Sequence, residues 1–319
     1  MQVGGESQPS WCSMAYVAAG RTHLDVDGHS LSVSNLDKVL YPDGTTKHDV
    51  ITHYVEVADV LLPLLAGRPA TRKRWPNGTA ASSFFEKNMP RGAPSWIRTV
   101  TLESPGSTRD RESITYPVLE GLADLVWVAN LAALELHVPQ WRVGPRGGVR
   151  APDRLVVDLD PGEGAGLAQC AEVACTVREL LHEDGLKAVP VTSGSKGMQL
   201  YAPVAGTQDA GVVRAYANVL AERGARQLPG LVVTRMTKAI RGGKVLIDWS
   251  QNTAAKTTIT PWSLRGRDRG TLACPRTWDE IEDPETLEQV HRSQVADRLA
   301  TYGDLTAALL ERGPRLPAR

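Results

Sequence analysis

Two aspartates close a short apolar run, Leu155-Val156-Val157-Asp158-Leu159-Asp160, just before Pro161 and Gly162. In an extended chain side chains alternate between faces, so Asp158 and Asp160 share one face and Val157 and Leu159 the other. Pro161 and Gly162 end such a strand. Two carboxylates held this close repel each other, and a divalent cation between them is the simplest way to keep both ionised. Taken alone, the pair also fits a solvated turn at a strand end. A second run, Val245-Leu246-Ile247-Asp248, again ends in a carboxylate. Between the two lies Ser193-Gly194-Ser195-Lys196-Gly197, whose hydroxyls, glycines and lysine suit a backbone nest for a phosphate, although the spacing is not that of a Walker loop. Just ahead of the second run stand Arg235, Lys238 and Arg241. Two carboxylate-tipped strands with a phosphate-type loop between them read as a centre for phosphate chemistry on a metal.

The elements that must position these groups follow from periodicity and turn chemistry. Residues 22–26 and 29–33 read as a hairpin around Asp27-Gly28. Thr46 caps a helix whose apolar positions Val50, Ile51, Tyr54, Val57, Leu61 and Leu62 keep the helical period. Lys38 and Lys47 flank the turn before it, where two ammonium groups and free backbone N–H groups suit a phosphate; two solvated lysines fit that pattern as well. Arg72, Lys73, Arg74 and Trp75, followed by Phe84 and Phe85, combine cations with rings in the manner of a nucleic-acid surface. Phe84 and Phe85 are the only phenylalanines. As neighbours on a strand they point to opposite faces, which predicts one exposed ring and equally admits one packed inward. Residues 122–136 read as a helix that gives out at His137, two residues before Pro139. Helices are also expected over 168–182, stopped by Gly185, and over 211–224, with a strand at 188–191.

Composition bounds the rest. The chain has 319 residues, enough for one large domain or two small ones, and 42% of them are hydrophobic, enough for a core. No apolar run approaches the ~18 residues of a membrane span, so no membrane partner is expected. Lys plus Arg number 36, as do Asp plus Glu, so any basic groove must be local. Cys12, Cys170, Cys175 and Cys274 form no CxxC pair, which argues against zinc and disulfides and fits a reducing cytoplasm. Residues 1–20 show no secretory signal and are expected to be a loose arm ahead of a domain over 21–319.

The ordered motifs DLDPGEG (158–164), SGSKG (193–197), KVLIDWSQN (244–252) and SLRGR (263–267) resemble the polymerase domain of bacterial ligase D, a member of the archaeo-eukaryotic primase superfamily. NLDKVLYP (35–42), TRKRWPNG (71–78), FFEKN (84–88) and HVPQWR (137–142) extend the resemblance over nearly the whole chain, and the kinship expected is with stand-alone bacterial primase-polymerases, which carry no ligase or nuclease domain. The resemblance implies an α+β fold in which two sheets flank a catalytic cleft, with helices outside. It makes Asp158, Asp160 and Asp248 the ligands of two divalent ions, Mn2+ or Mg2+. It gives the nucleotide Lys73, His137, Ser193, Lys196, Gln251 and Arg265, the 5′-phosphate across a gap Lys38 and Lys47, template stacking Phe84 and Phe85, and further DNA contact Arg235, Lys238 and Arg241. The implied partners are gapped or broken DNA, ribonucleoside triphosphates, a DNA ligase and an end-binding protein, in the bacterial cytoplasm at the nucleoid. Gln199 departs from the pattern, which leads one to expect histidine there, and an amide cannot exchange a proton as imidazole does.

Three functional classes follow: a template-directed polymerase that fills short gaps or ends in excision repair or end joining, a primase that starts without a 3′-hydroxyl, and a non-catalytic end-binding module. Three unpaired acids where DNA phosphates must approach argue against the third, while the first two use the same residues.

Overall fold

The computed structural model describes residues 16–18, 21–104 and 112–317. Of the arm expected over residues 1–20, 1–15 and 19–20 lie outside the described residues, whereas Tyr16–Ala18 is a strand, β1. It pairs with β2 (Arg21–Val26), which in turn pairs with β3 (His29–Ser34). The turn between β2 and β3 is Asp27-Gly28, with φ of +52° and +73°, the two left-handed residues that a tight hairpin requires. Helix α1 (Lys47–Glu56) begins where Thr46 accepts a bond from Asp49 N and the Asp49 carboxylate accepts one from Thr46 N, a reciprocal cap. The helix expected to run through Leu62 breaks at Val57 and resumes as α2 (Ala58–Leu65). Its apolar stripe crosses the break without interruption, which hid the break from periodicity.

Strands β4 (Thr71–Arg74) and β5 (Phe84–Glu86) are followed by a two-stranded ribbon, β6 (Thr99–Glu103) and β7 (Ser113–Pro117). The next segment corrects the expected helix over 122–136. Helix α3 (Leu122–Asn130) ends early, the chain turns through Ala132 at φ +54°, and β8 (Ala133–Val138) follows with all six residues buried. Leu134, Leu136 and Val138 alternate with Glu135 and His137 as a strand should, but no glycine or proline separates this short stretch from the apolar run of α3, so the two read as one helix. His137 therefore sits on a strand. Beyond it come β9 (Arg154–Pro161), α4 (Leu167–Glu183), β10 (Val189–Thr192), β11 (Met198–Pro203), α5 (Ala210–Gln227), β12 (Val232–Val233), β13 (Val245–Asp248), β14 (Thr258–Ile259), β15 (Cys274–Pro275), α6 (Trp278–Glu282) and α7 (Val295–Tyr302).

Two sheets carry the architecture. One has six strands in the order β12-β13-β9-β11-β10-β15, the other four in the order β14-β8-β4-β5. Leu155, Val157 and Leu159 of β9 enter a core built with α4 and α5, while Val156 belongs to a second core shared with α1 to α3 and β8. The alternation along β9 thus gives one face to helices and turns Asp158 and Asp160 toward the four-stranded sheet.

Candidate active site

Register brings the expected acids together. Asp248 of β13 and Gln199 of β11 are both direct cross-strand partners of Asp158 on β9, and Leu246 pairs with Asp160. Directly opposed residues share a face, so Asp248, Asp158 and Gln199 form one row, with Asp160 two residues further on. Across the cleft, Phe85 of β5 pairs with Lys73 of β4, and Lys73 with Glu135 of β8. This second row carries His137 two residues beyond Glu135. Arg265 reaches between the rows: its Nη1 lies 3.5 Å from Glu135 Oε2, and its charge is felt by Asp158 and Asp160. The cleft is about 290 Å³ and is lined by Asp158, Asp160, His137, Gln251 and Arg265 and by the 193–197 turn, near the lower size limit of small-molecule sites.

Two of the acids are raised. Burial, then the charge of Asp160, pushes the Asp158 carboxyl up to about 7, with Asp248 adding to the effect and the N–H bond from Gln199 opposing it. Asp160 is also raised, by burial, against the pull of Arg241. Asp248 is engaged by its own neighbourhood: Oδ1 accepts from Ser250 N at 3.0 Å, Oδ2 accepts from Gln251 Nε2 at 2.9 Å, and Lys256 Nζ lies 3.7 Å away. Among the described residues no three His, Cys, Asp or Glu side chains stand together as a ready-made metal cage. Their hard oxygens, whose charge Arg241, Arg265 and Lys256 offset only in part, fit a divalent cation such as Mn2+ or Mg2+.

Glu135, which sequence reasoning passed over because it lay in a presumed helix, behaves differently. Burial alone would raise its carboxyl, but the bond to His137 and the charges of Arg265 and Lys73 outweigh that and hold it at about 2. It is therefore an ionised acceptor, so the His137 Nε2 that lies 2.8 Å from its Oε2 carries the hydrogen. Burial keeps His137 below its usual value. Lys73 Nζ lies over the rings of Trp75 at 4.7 Å and Phe85 at 5.3 Å, and the Phe85 ring meets His137 edge-on at 5.5 Å.

The 193–197 turn is fitted closely under β9. Gly194 has φ +69°, and a Cβ there would stand 2.6 Å from Leu272 backbone atoms; one on Gly197 would stand 2.0 Å from the Leu159 carbonyl oxygen. Ser193 is buried and Lys196 exposed. Both phenylalanines are exposed, Phe84 at 40% and Phe85 at 53%, which corrects the expectation of a single exposed ring: β5 is an edge strand of three residues, too short to bury either face. Lys47 is buried, and its Nζ donates to Ser34 O at 2.8 Å. Burial lowers its pKa, with the charges of Lys38 and Arg74 adding to the effect. Lys47 N donates to Lys38 O at 2.9 Å, so the two lysines stand near one another; Lys38, whose Nζ donates to Asn77 Oδ1 at 3.3 Å, is half-buried and the more accessible of the two. Arg235 and Lys238 are exposed, and Arg241 Nη2 reaches Asp160 O at 3.4 Å.

Fold and cleft together define an α+β domain with an acidic floor on one sheet and a cationic, aromatic wall on the other. Residues 46–306 match the family model described as "LigD, primase-polymerase domain", and the chain belongs to that family. It is 51% identical to the multifunctional non-homologous end joining protein LigD of Mycolicibacterium smegmatis, covering 87% of this chain and 36% of the relative. It is 33% identical to the bifunctional LigD of Bacillus subtilis, covering 94% and 47%. The chain thus spans about a third to a half of these relatives. Among solved structures, the polymerase domain of Mycobacterium tuberculosis ligase D in complex with DNA matches with a TM-score of 0.83 and 47% identity, covering 88% of this chain and 98% of that one.

Proposed function

We propose that this domain is a template-directed nucleotidyltransferase of DNA end joining or gap repair, which extends a 3′ end and favours ribonucleotides. The observation that carries the reading is the row of Asp248, Asp158 and Gln199, with Asp160 beside it, facing a cationic wall across a cleft. The names of its relatives, end-joining proteins and a polymerase domain bound to DNA, support the choice of substrate.

Asp158, Asp160 and Asp248 would hold two divalent ions, Mn2+ or Mg2+, which supply activation of the 3′-hydroxyl and stabilisation of the leaving pyrophosphate. Lys196 and Arg265 bring positive charge to the triphosphate, and Ser193 offers a hydroxyl for the phosphate or ribose. His137 and Lys73 stand beside the nucleotide, and Gln251 orients Asp248. The exposed rings of Phe84 and Phe85 suit stacking on template bases, and Arg235, Lys238 and Arg241 suit phosphate contact. No helix among the described residues is long and apolar enough to cross a membrane; a cytoplasmic setting, a ligase and an end-binding protein complete the proposal.

The testing experiment is extension of a gapped duplex with ribo- or deoxyribonucleotides in Mn2+ or Mg2+. Kinetic efficiency is expected to be higher with ribonucleotides, and equal or reversed efficiency removes the sugar preference. No extension at all under any condition removes the polymerase reading.

Gap recognition follows from Lys38. A terminal 5′-phosphate carries more charge than a phosphodiester, and the contact is screened, so it is expected to add ~1 kcal/mol. Filling of a short gap should fall about five-fold when the downstream phosphate becomes a hydroxyl, and Lys38→Ala should erase that difference. The single substitution is preferred because Lys47 also ties down Ser34 O. On a primer-template without a downstream strand, Lys38→Ala should match wild type; equal loss on both substrates would leave Lys38 a general contact only.

A further inference from the structure

We propose that Tyr201 is a positioning residue of the aspartate centre, holding Gln199 so that its amide N–H fixes the Asp158 carboxylate; this rests on the reading of Asp158 as a metal ligand. Gln199 Nε2 donates to Asp158 Oδ1 at 3.0 Å, and the other end of the same amide, Oε1, accepts from Tyr201 OH at 2.8 Å. The two ends of an amide are opposite in character. Turned over, Gln199 would set its oxygen against a carboxylate and its NH2 against the phenol, and Asp158 would lose its only side-chain donor among the described residues. The carboxylate thereby selects the useful orientation, and the phenol O–H, donating to Oε1, holds the amide in it.

Tyr201 is suited to that task because it cannot easily move. It is 1% exposed, lies two residues from Gln199 on β11, and rests its ring against the guanidinium of Arg154 at 5.8 Å. Arg154 is itself buried and opens the strand that carries Asp158. The same hydroxyl stands 2.6 Å from Ile259 O on β14, in the opposite sheet. Its one hydrogen serves two acceptors, one on the way to the aspartate and one across the cleft, so the orientation of Asp158 is tied to the seating of the two sheets. Groups that orient a ligand from behind typically change metal affinity by ten-fold or more.

The test is Mn2+ binding measured by the EPR signal of the free ion, with neither DNA nor nucleotide present, on wild type, Tyr201→Phe, Gln199→Leu, the double variant and Asp158→Asn. Tyr201→Phe keeps the ring against Arg154 and removes only the hydroxyl. It should weaken Mn2+ about ten-fold, as should Gln199→Leu, and the double variant should be no weaker than either single one, because the phenol acts through the amide. A merely structural tyrosine would lower the melting temperature and weaken binding in both backgrounds. Wild-type affinity in Tyr201→Phe, or losses that multiply to about a hundred-fold, would overturn the positioning role while leaving the metal site standing. Binding unaffected by Asp158→Asn would instead overturn the metal site itself. If Tyr201→Phe does not fold, Gln199→Leu decides alone, since wild-type affinity there leaves the phenol nothing to act through.

Discussion

Asp158→Asn will lower nucleotide addition by ~10²–10³-fold, the scale of losing one preorganised electrostatic group, and yet the variant will melt higher than wild type when both are free of metal. The two effects share one cause. Asp158 is buried beside Asp160 and Asp248, and burial with those charges raises its carboxyl to about 7. Unfolded, it titrates near 4. A carboxylate raised on folding costs nothing below pH 4, where both states are protonated. It then costs progressively more as pH climbs toward 7, because the unfolded chain ionises freely and the folded one resists. Above about pH 7 the cost is complete, on the order of 2–4 kcal/mol. An amide of the same shape removes that cost, so the gain of Asp158→Asn should be several degrees at pH 7.5 and should vanish near pH 4. Adding Mn2+ should raise the wild-type melting temperature and leave the variant almost unmoved. Thermal melts with chelator and with Mn2+, at the two pH values, check all three statements. A variant that melts lower than wild type at pH 7.5 would mean that Asp158 is a structural hydrogen-bond acceptor and not a strained functional group.

That stored repulsion was legible in the bare chain, because a period of two places Asp158 and Asp160 on one face whatever the fold. The partner strand was legible too, since Asp248 closes an apolar run of its own. What could not be read was register: nothing local says that Asp248 and Gln199 flank Asp158, since pairing of strands dozens of residues apart is settled by the whole sheet. The Asp27-Gly28 hairpin and the Thr46 cap were readable because each is made by two or four adjacent residues. The opposite wall of the cleft was misread for a physical reason. Leu134, Leu136 and Val138 do alternate with Glu135 and His137, but the apolar run of α3 leads into them with no glycine or proline to mark a boundary, so the strand was read as more helix, and Glu135 was lost as a candidate along with the true setting of His137. Tyr201 escaped notice because an apolar strand hides a buried hydroxyl, whose meaning lies in what it reaches.

Gly197 shows how a residue can be noticed for one reason and needed for another. In the sequence it belongs to a phosphate-type turn, where glycine offers a free N–H. In the fold its hydrogen faces the backbone of β9: a methyl group there would sit 2.0 Å from Leu159 O and 2.8 Å from Pro161 Cδ. The turn cannot simply back away, because the Gly197 carbonyl accepts from Ser193 N at 3.0 Å and from Gln289 Nε2 at 3.0 Å. Nor can β9 yield without cost, since Leu159 lies between Asp158 and Asp160 and is paired on both sides. Gly197→Ala must therefore either lift Ser193 and Lys196 or displace the aspartates. A shift near 1 Å at reacting groups costs ~10²-fold in rate, and overpacking against backbone costs ~3 kcal/mol. We expect nucleotide addition to drop at least that far, with a melting temperature lower by several degrees. Gly148→Ala is the matched control: a Cβ there meets nothing within 4 Å, so it should alter stability by less than ~0.5 kcal/mol and leave extension unchanged. If Gly197→Ala extends a gapped primer as well as Gly148→Ala does, the turn does not bear on the aspartate strand, and the triphosphate must be held elsewhere in the cleft.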